Sequence, residues 1–589
     1  MRSTERLLAI ISVLLVFVYV VLRSIYVATC HDEAATFFHY IVPGKFVPYH
    51  AHWDANNHFL NSALSWVCYK LLGPAQWSIR LPNVLSFLIY GYFSIRISEQ
   101  IKNSLIRWMV FLALLTATFL LEFFAMARGY AMSIAFFMAA VFYAGQYLRF
   151  QKLKYQFYLW FWMWLAVAAS LTLINSYLIM LGVVVLGLIQ VKQNRWKHFL
   201  ALLFLGVPVL LAAVVYAFDL KEKGLLYTGL ADGFIEVTVR SLVRYQLDRE
   251  SAPISNLVTL IGGISAVFLV FHYLTRSLKW NAVLLASVLL LLNALASISL
   301  NLLFGMNFPE NRVGMYYIPL FLITVAGALD VWSSSNRKLQ WLALTFLVFP
   351  AHLVKHFNFN TSILWPRWHA SEGIYNRAVQ QQREIGETQM LSAEYLNELG
   401  WAYYNFQNDA EMQLLQRDPV PDTLADMIIG RPEDFDFATV PYDTIYHDAP
   451  NNVYLLRRTV PINWSEPKDA PIRQYQFSGS NEFYELVNDS VSKLPGRVGM
   501  WELEGVFTSD GGLSDGQLII TSQGPNSEDG TYNMIPLHWI RSKWNRDTIH
   551  VKRTYYFSPN ATNFKVYFWN IHQDSIAFNL MKLKFRVPE

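Results

Sequence analysis

LLAIISVLLVFVYVVLRSIYVATCHDEAATFFHY, residues Leu7–Tyr40, decides the fold class: an apolar run long enough to span a bilayer ends in two adjacent carboxylates, Asp32 and Glu33. A bilayer core takes about 20 apolar residues in helix. The run follows Arg2 and Arg6, the charge order of a signal peptide, but it is too long for one and no small-residue cleavage site follows. It reads as an uncleaved first membrane helix. Charges belong at helix ends, so Asp32 and Glu33 have two readings at this point: a solvated helix boundary, or an acidic pair facing a substrate at the membrane surface.

The whole chain of 589 residues supports the membrane reading, with 54% hydrophobic, 16% aromatic and only 15% charged residues and a mean hydropathy of +0.26. The formal net charge of +4 is spread over loops, which excludes a nucleic-acid-binding tract. Cys30 and Cys68 are the only cysteines, so a disulfide framework and a thiolate zinc site are excluded, while a single bridge between them stays open.

Apolar runs of spanning length recur at 7–28, 80–98, 105–121, 129–148, 156–174, 176–191, 198–218, 257–274, 281–303, 313–333 and 339–355. These eleven runs predict a polytopic helical domain over 1–355. The joint near Asn175-Ser176 is ambiguous between two helices and one broken one. With the amino terminus inside, every second connection is basic: Lys102 and Arg107; Arg149, Lys152 and Lys154; Lys192, Arg195 and Lys197; Arg276 and Lys279; Arg337 and Lys338. That is the positive-inside pattern. The opposite face then holds 30–77, 122–128, 219–256, 305–312 and everything after Lys355. Residues 57–72 have apolar positions at helical spacing and predict an amphipathic helix in the interface.

Beyond Lys355 no run of membrane length returns. Residues 356–470 predict a mixed α/β segment, helical over 380–405 and strand-like over 444–460. Residues 471–589 alternate in short strands between Gly, Asn, Asp and Ser turns, which predicts a β-sandwich on the outer side. Its aromatic residues fit a core first and a sugar-stacking surface second. Asn360, Asn463, Asn488 and Asn560 open Asn-x-Ser/Thr triplets, a weak signal in an Asn-rich region.

The outer face of the first half presents, in order, HDEAATFFHY from His31, HWDANNHFLNSALSW from His52, WSIRLPNVLS from Trp77 and EFFAMARGYAMS from Glu122. In their order and placement these stretches resemble the GT-C superfamily of polyprenyl-phosphate-sugar-dependent glycosyltransferases, in its protein O-mannosyltransferase and aminoarabinose-transferase-like branch. The resemblance covers about residues 1–320 and is most specific over 31–130. It implies an integral membrane enzyme, in a bacterial inner membrane, that moves a sugar from a polyprenyl-phosphate donor to a hydroxyl of a protein, lipid or glycan acceptor on the outer face. A sugar on a polyprenyl phosphate is already activated, so no nucleotide-binding domain is needed and no cofactor is required.

Each candidate residue has a chemical reason. An acceptor hydroxyl needs a base and the departing phosphate needs cations. The resemblance makes Asp32 the candidate base, with Glu33 either its supporting partner or the base itself. Adjacent like charges near a low-dielectric interface raise at least one pKa, which suits a base near neutrality. Arg128, in Ala-Arg-Gly-Tyr, is the candidate for the lipid phosphate, with a snorkelling arginine as the plain alternative. Arg312, after Pro309-Glu310-Asn311, is a second such candidate, and Arg80 a third, unless it pins the interfacial helix through Glu or backbone contacts. Asn57 and His58 line the same loop. Glu122 is a candidate partner for Arg128. His52, Asp54 and His58 admit a divalent metal, although these spacings are common. Arg240, Arg244, Tyr245 and Arg249 form either a basic binding loop or a mobile lid. Two rival functions share these features: a transporter or flippase of lipid-linked glycans, and an oligosaccharide ligase or polymerase.

Overall fold

Apolar segments without internal Gly-Pro breaks fold into helices that follow the expected runs. The computed structural model describes residues 3–226, 229–276, 279–365, 369, 371–408, 412–416, 420–431, 433, 441–509, 516–541 and 544–589. The first helices are α1 (Ser3–Tyr26), α2 (His31–Thr36), α3 (Phe59–Leu72), α4 (Gln76–Ser98), α5 (Ser104–Thr116) and α6 (Thr118–Phe124). Then come α7 (Gly129–Phe150), α8 (Leu153–Ala169), α9 (Ile174–Gln190), α10 (Arg195–Ala201), α11 (Val207–Glu222) and α12 (Arg240–Leu247). The helical half closes with α13 (Ala252–Thr275), α14 (Ala282–Phe304), α15 (Tyr317–Ser335) and α16 (Val348–Lys355).

Every one of the eleven expected runs falls on helical structure, but fewer qualify as spans. Among the described residues seven helical segments are long and apolar enough to cross a membrane, or eight if α5 and α6, bent by 46°, are one span. The three expected spans outside that set have local reasons. The α4 helix carries Arg80, Pro82, Asn83 and Arg96; α8 has only 17 residues; and the last run is a 3-10 segment, Arg337–Leu347, leading into α16. The ambiguous joint resolves as two helices. The break comes at Ser170, five residues before the expected point, where the side chain accepts from the Thr172 amide and opens a 3-10 turn.

Hydrogen bonds between distant segments sort the loops into two groups. At one end Arg6 meets Glu99 at 2.6 Å, the Lys102 and Asn103 amides donate to the Asp330 carboxylate, and the Ala282 amide donates to Gln100. At the other Tyr49 donates to Asp219, the Phe308 amide to the Leu230 carbonyl, and the Asn311 amide to Ser241. These are the two groups that alternate basic charge separates in the sequence.

Two buried arginines fix α1 at the second of these ends. Arg23, 1% exposed, has its guanidinium 2.5 Å from Glu122 Oε1 on α6 and donates to the Asn358 and Thr361 carbonyls. Ser362 completes Glu122 from the other side at 2.8 Å. Arg80 donates to the Ser24 and Val27 carbonyls, satisfying acceptors that the end of α1 leaves open.

The chain divides into two compact units. The first is Met1–Val27 with His39–Ile363; the second is Ala28–Phe38 with Leu364–Glu589. The acidic pair therefore belongs to the second unit, although it lies in the first tenth of the sequence. Here α17 (Glu372–Ile385) and α18 (Glu398–Gln407) accompany a sheet of β1 (Leu391–Ala393), β2 (Met427–Gly430), β3 (Tyr442–Asp448) and β4 (Val453–Arg458), in the order β1-β2-β4-β3 with β1 and β2 parallel. The strand β1 interrupts what reads as continuous helix over 380–405.

The remaining strands are β5 (Lys468–Asp469), β6 (Gln476–Gly479), β7 (Phe483–Ser490), β8 (Val498–Ser509), β9 (Gln517–Gln523), β10 (Thr531–Pro536), β11 (Asn545–Tyr556), β12 (Asn563–Trp569) and β13 (Ile576–Arg586). They form two antiparallel sheets, β10-β9-β12-β7 and β11-β8-β13-β5, with β6 beside β13. Phe477 and Phe507 of one sheet meet Phe568 of the other across the core, so this is a sandwich. Trp501, Trp539 and Trp544 are buried in it. Both cysteines are free.

Removing one member of a buried ion pair leaves the other uncompensated, at a cost of about 3–5 kcal/mol. Arg23→Gln and Glu122→Gln should each lower the melting temperature of the detergent-purified protein by several degrees. The double replacement Arg23→Met/Glu122→Leu should recover most of that loss. Singles that melt with the wild type would remove this pair from the list of stabilising interactions.

Candidate active site

Asp54 begins the site by shaping its own backbone. Its Oδ1 accepts the Asn56 amide at 2.8 Å, and the Asn57 amide returns to the Asp54 carbonyl. The result is a tight Asx turn that ends at His58, the residue before α3. The turn delivers Asn56 to Arg128, whose Nη2 donates to Asn56 Oδ1 at 2.7 Å. Arg128 is fully buried at the N-cap of α7, and its guanidinium lies 5.6 Å from the centre of the Tyr130 ring. A guanidinium at the positive end of a 22-residue helix makes a place where an anion is favoured.

The glycine of Ala-Arg-Gly-Tyr has a steric cause. A Cβ on Gly129 would stand 2.0 Å from the Ala169 carbonyl and 2.8 Å from His58 Cβ. His58 Nδ1 donates to that same carbonyl at 2.9 Å, and its ring meets Tyr130 edge-on. Asn57 donates to the Phe46 carbonyl and Asn61 to the Ala127 carbonyl, while Asn83 donates to Asn61. The polar stretch thus knits α3, α4 and the start of α7 together.

Tyr40 links the two charged members of this group. Burial raises its phenol pKa well above the ordinary value; Asp54 pushes it further up and Arg128 opposes it. Asp54 and Arg128 therefore act on one buried hydroxyl. His52 is exposed and stacks on His39 with ring centres 4.6 Å apart. Among the described residues His52, Asp54 and His58 do not converge as a metal-ligand group; Asp248, His352 and His356 do.

The other expected residues separate. Glu122 pairs with Arg23, which corrects the expected Glu122–Arg128 pair: the short α6 turns its carboxylate toward α1. Arg80 makes backbone contacts, but to the carbonyls at the end of α1 and not to the expected interfacial helix. Arg312 sits on the 3-10 turn Asn311–Gly314 and acts electrostatically on Tyr245, whose ring stacks on Phe119 at 4.8 Å. Arg240, Arg244 and Tyr245 lie on α12, a packed helix with Ser241, Leu242, Val243 and Gln246 buried, in place of a loose lid. Arg249 follows it at the surface.

Asp32 and Glu33 open α2 in the second unit. Glu33 is buried and accepts the Cys30 amide at 3.3 Å, closing a capping box. Asp32 is half-buried. Within the second unit Phe37 meets Tyr403 and Phe406, and Phe38 meets Phe406 and Trp539.

Nothing in the sequence patterns points to a cavity of about 190 Å³ in the first unit, walled by Leu242, Val243 and Gln246 of α12, Gly262 of α13, Leu290 of α14 and Phe321 of α15. Its lining is almost wholly apolar, and each wall reads in sequence as ordinary membrane helix.

Solved structures that this chain resembles are of ArnT from Cupriavidus metallidurans. In the apo state the match has a TM-score of 0.44 at 13% identity, covering 77% of this chain and 98% of that one. For ArnT bound to undecaprenyl phosphate the TM-score is 0.41 at 12% identity, with the same coverage. At these values no residue role passes from one chain to the other. No protein-family model matches the sequence, and no curated protein does.

Gly129→Ala should destabilise the protein by about 1–3 kcal/mol, because the new Cβ would overlap the Ala169 backbone carbonyl and the His58 side chain, which is itself bonded to that carbonyl. Gly182→Ala on α9, where a Cβ meets nothing within 4 Å, should raise stability by up to about 1 kcal/mol through helix propensity. Melting curves of the two variants side by side test this; equal effects would contradict the steric account.

Proposed function

We propose that this integral membrane protein is an inverting glycosyltransferase that moves a sugar from a polyprenyl phosphate to an acceptor hydroxyl at the outer membrane face. The observation that carries the reading is Arg128: a fully buried guanidinium at the positive end of α7, set by Asn56 and Tyr130. A phosphate carried on a lipid suits a cation at this helix end, and the apolar cavity beside α12 offers room for isoprenoid chain. The ordered set of outer-face motifs points the same way.

In this reading Asp32 takes the proton of the acceptor hydroxyl, and the acceptor oxygen bonds to the anomeric carbon from the face opposite the phosphate. The C–O bond to phosphate breaks and its electron pair stays on the phosphate oxygen, where Arg128, with Arg312, stabilises the charge. Glu33 holds the start of α2 through the Cys30 amide and so positions Asp32. In the same reading the carboxy-terminal region lies outside a bacterial inner membrane, where it meets a protein, lipid or glycan acceptor.

Purified protein supplied with radiolabelled polyprenyl-phosphate sugars and candidate acceptors tests the reading. Asp32→Asn should lower turnover by about 100-fold or more, the usual scale of a lost general base. Arg128→Gln should do the same, with Arg128→Lys recovering only part because a point charge replaces a bidentate fork. Glu33→Gln should fall between these and the wild type. Full turnover by both Asp32→Asn and Glu33→Gln would end the catalytic role of this pair.

A further inference from the structure

Asp248, His352 and His356, to which the transfer reading gives no role, come together from two separate segments. Asp248 follows α12 directly and adopts a left-handed backbone, φ +54°, a conformation that aspartate tolerates better than most residues. His352 and His356 lie one turn apart on α16, with ring centres 4.4 Å apart. Their ligand atoms and a carboxylate oxygen all fall within 4.8 Å of one another. His352 Nε2 is 3.2 Å from Asp248 Oδ1 and His356 Nε2 is 2.5 Å from Oδ2. Ligands about 2.0–2.2 Å from a shared tetrahedral ion stand roughly 3.3 Å apart, so a small opening of the second contact suffices.

The His352 ring supplies an independent sign. It is 7% exposed, and its buried Nε2 faces the Asp248 carboxylate at 3.2 Å, poorly aligned for a hydrogen bond. Its other nitrogen is engaged: Nδ1 lies 2.5 Å from Thr118 Oγ1, which also accepts from Gln246 Nε2. The Thr118 hydroxyl can pair with either tautomer of the ring; in the one where it accepts from Nδ1, the Nε2 lone pair points at the cluster. A ligating histidine is commonly held in this way, by a hydrogen bond from its far nitrogen. The remaining neighbour is Lys355, an exposed ammonium 2.5 Å from Asp248 Oδ2 on a flexible stem, which an ion would displace into solvent.

We propose that Asp248, His352 and His356 form a divalent transition-metal site of the zinc type that fastens α12 to α16. The ion would hold a wall of the apolar cavity, since Leu242, Val243, Gln246 and Leu247 of α12 and Phe349 of α16 all line it. Imidazole and carboxylate donors suit zinc better than calcium or magnesium. The proposal stands whether or not the protein transfers sugar.

The experiment uses full-length protein in detergent, stripped with chelator, dialysed and titrated with Zn²⁺, with Co²⁺ as the absorbing substitute. One Zn²⁺ per chain is expected, with a rise in melting temperature and visible Co²⁺ bands of tetrahedral intensity. His352→Gln and His356→Gln should lose the ion, and Thr118→Val should weaken binding by about 10–100-fold. Lys355→Met should tighten binding, because it removes the competing cation. His356 and Lys355 are partly or largely exposed, so these variants report on the site even if His352→Gln misfolds. Stoichiometry unchanged in His356→Gln, or Zn²⁺ binding weakened by Lys355→Met, would overturn the site and leave the trio an ion-pair cluster.

Discussion

The Arg23–Glu122 pair is the constraint on which the helical half depends. A guanidinium and a carboxylate removed from water are tolerable only with further hydrogen bonds, and here the Asn358 and Thr361 carbonyls and the Ser362 hydroxyl provide them to all but the arginine Nε. The pair joins three stretches far apart in sequence: the end of α1, the short α6 and the segment after α16. Both places where the chain passes between units, after Val27 and after Ile363, lie close in sequence to this node. Arg80 adds a second anchor to the α1 carbonyls. The ends of the first unit from which the second departs are therefore fixed by polar bonds inside a largely apolar structure.

From that frame the candidate site follows by short-range geometry. With α1 and α6 fixed, α7 begins at Arg128, and Gly129 lets it approach Ala169 and His58 at a distance that no side chain would allow. The Asx turn at Asp54 then carries Asn56 to the guanidinium. Each step is a local rule, a cap or a turn or a missing Cβ, acting within a position set by a longer-range bond.

The same division explains what the sequence made legible. Hydrophobicity is a property of a residue and its neighbours, so the apolar runs, their alternating basic connections and the strands after Gln474 could all be read directly. The partner of a buried charge is not such a property. Glu122 is six residues from Arg128 but bonds Arg23, and nothing in the spacing reports the turn of α6 that makes this so. Likewise β1 is three residues long, too short for its alternation to register inside a helical pattern. His352-x-x-x-His356 is visible as a pair on one helical face, but Asp248 is brought to it only by the packing of α12. Assigning Ala28–Phe38 required Tyr403, Phe406 and Trp539, which no local window contains.

The interleaving of the two units has a consequence for the order of synthesis. Phe37 and Phe38 leave the ribosome well before the aromatic residues that cover them in the second unit. At about 5–20 residues per second, the wait before Leu364 is made is roughly 20–60 s. Throughout that interval the α2 segment must remain uncommitted while the membrane helices on either side of it insert. Its helix is only six residues long, and what it carries from the start is local: its capping box, the Thr36 hydroxyl on the Asp32 carbonyl and the Phe37–Phe38 contact. The nascent chain thus has to keep a short aromatic segment available for a domain that does not yet exist.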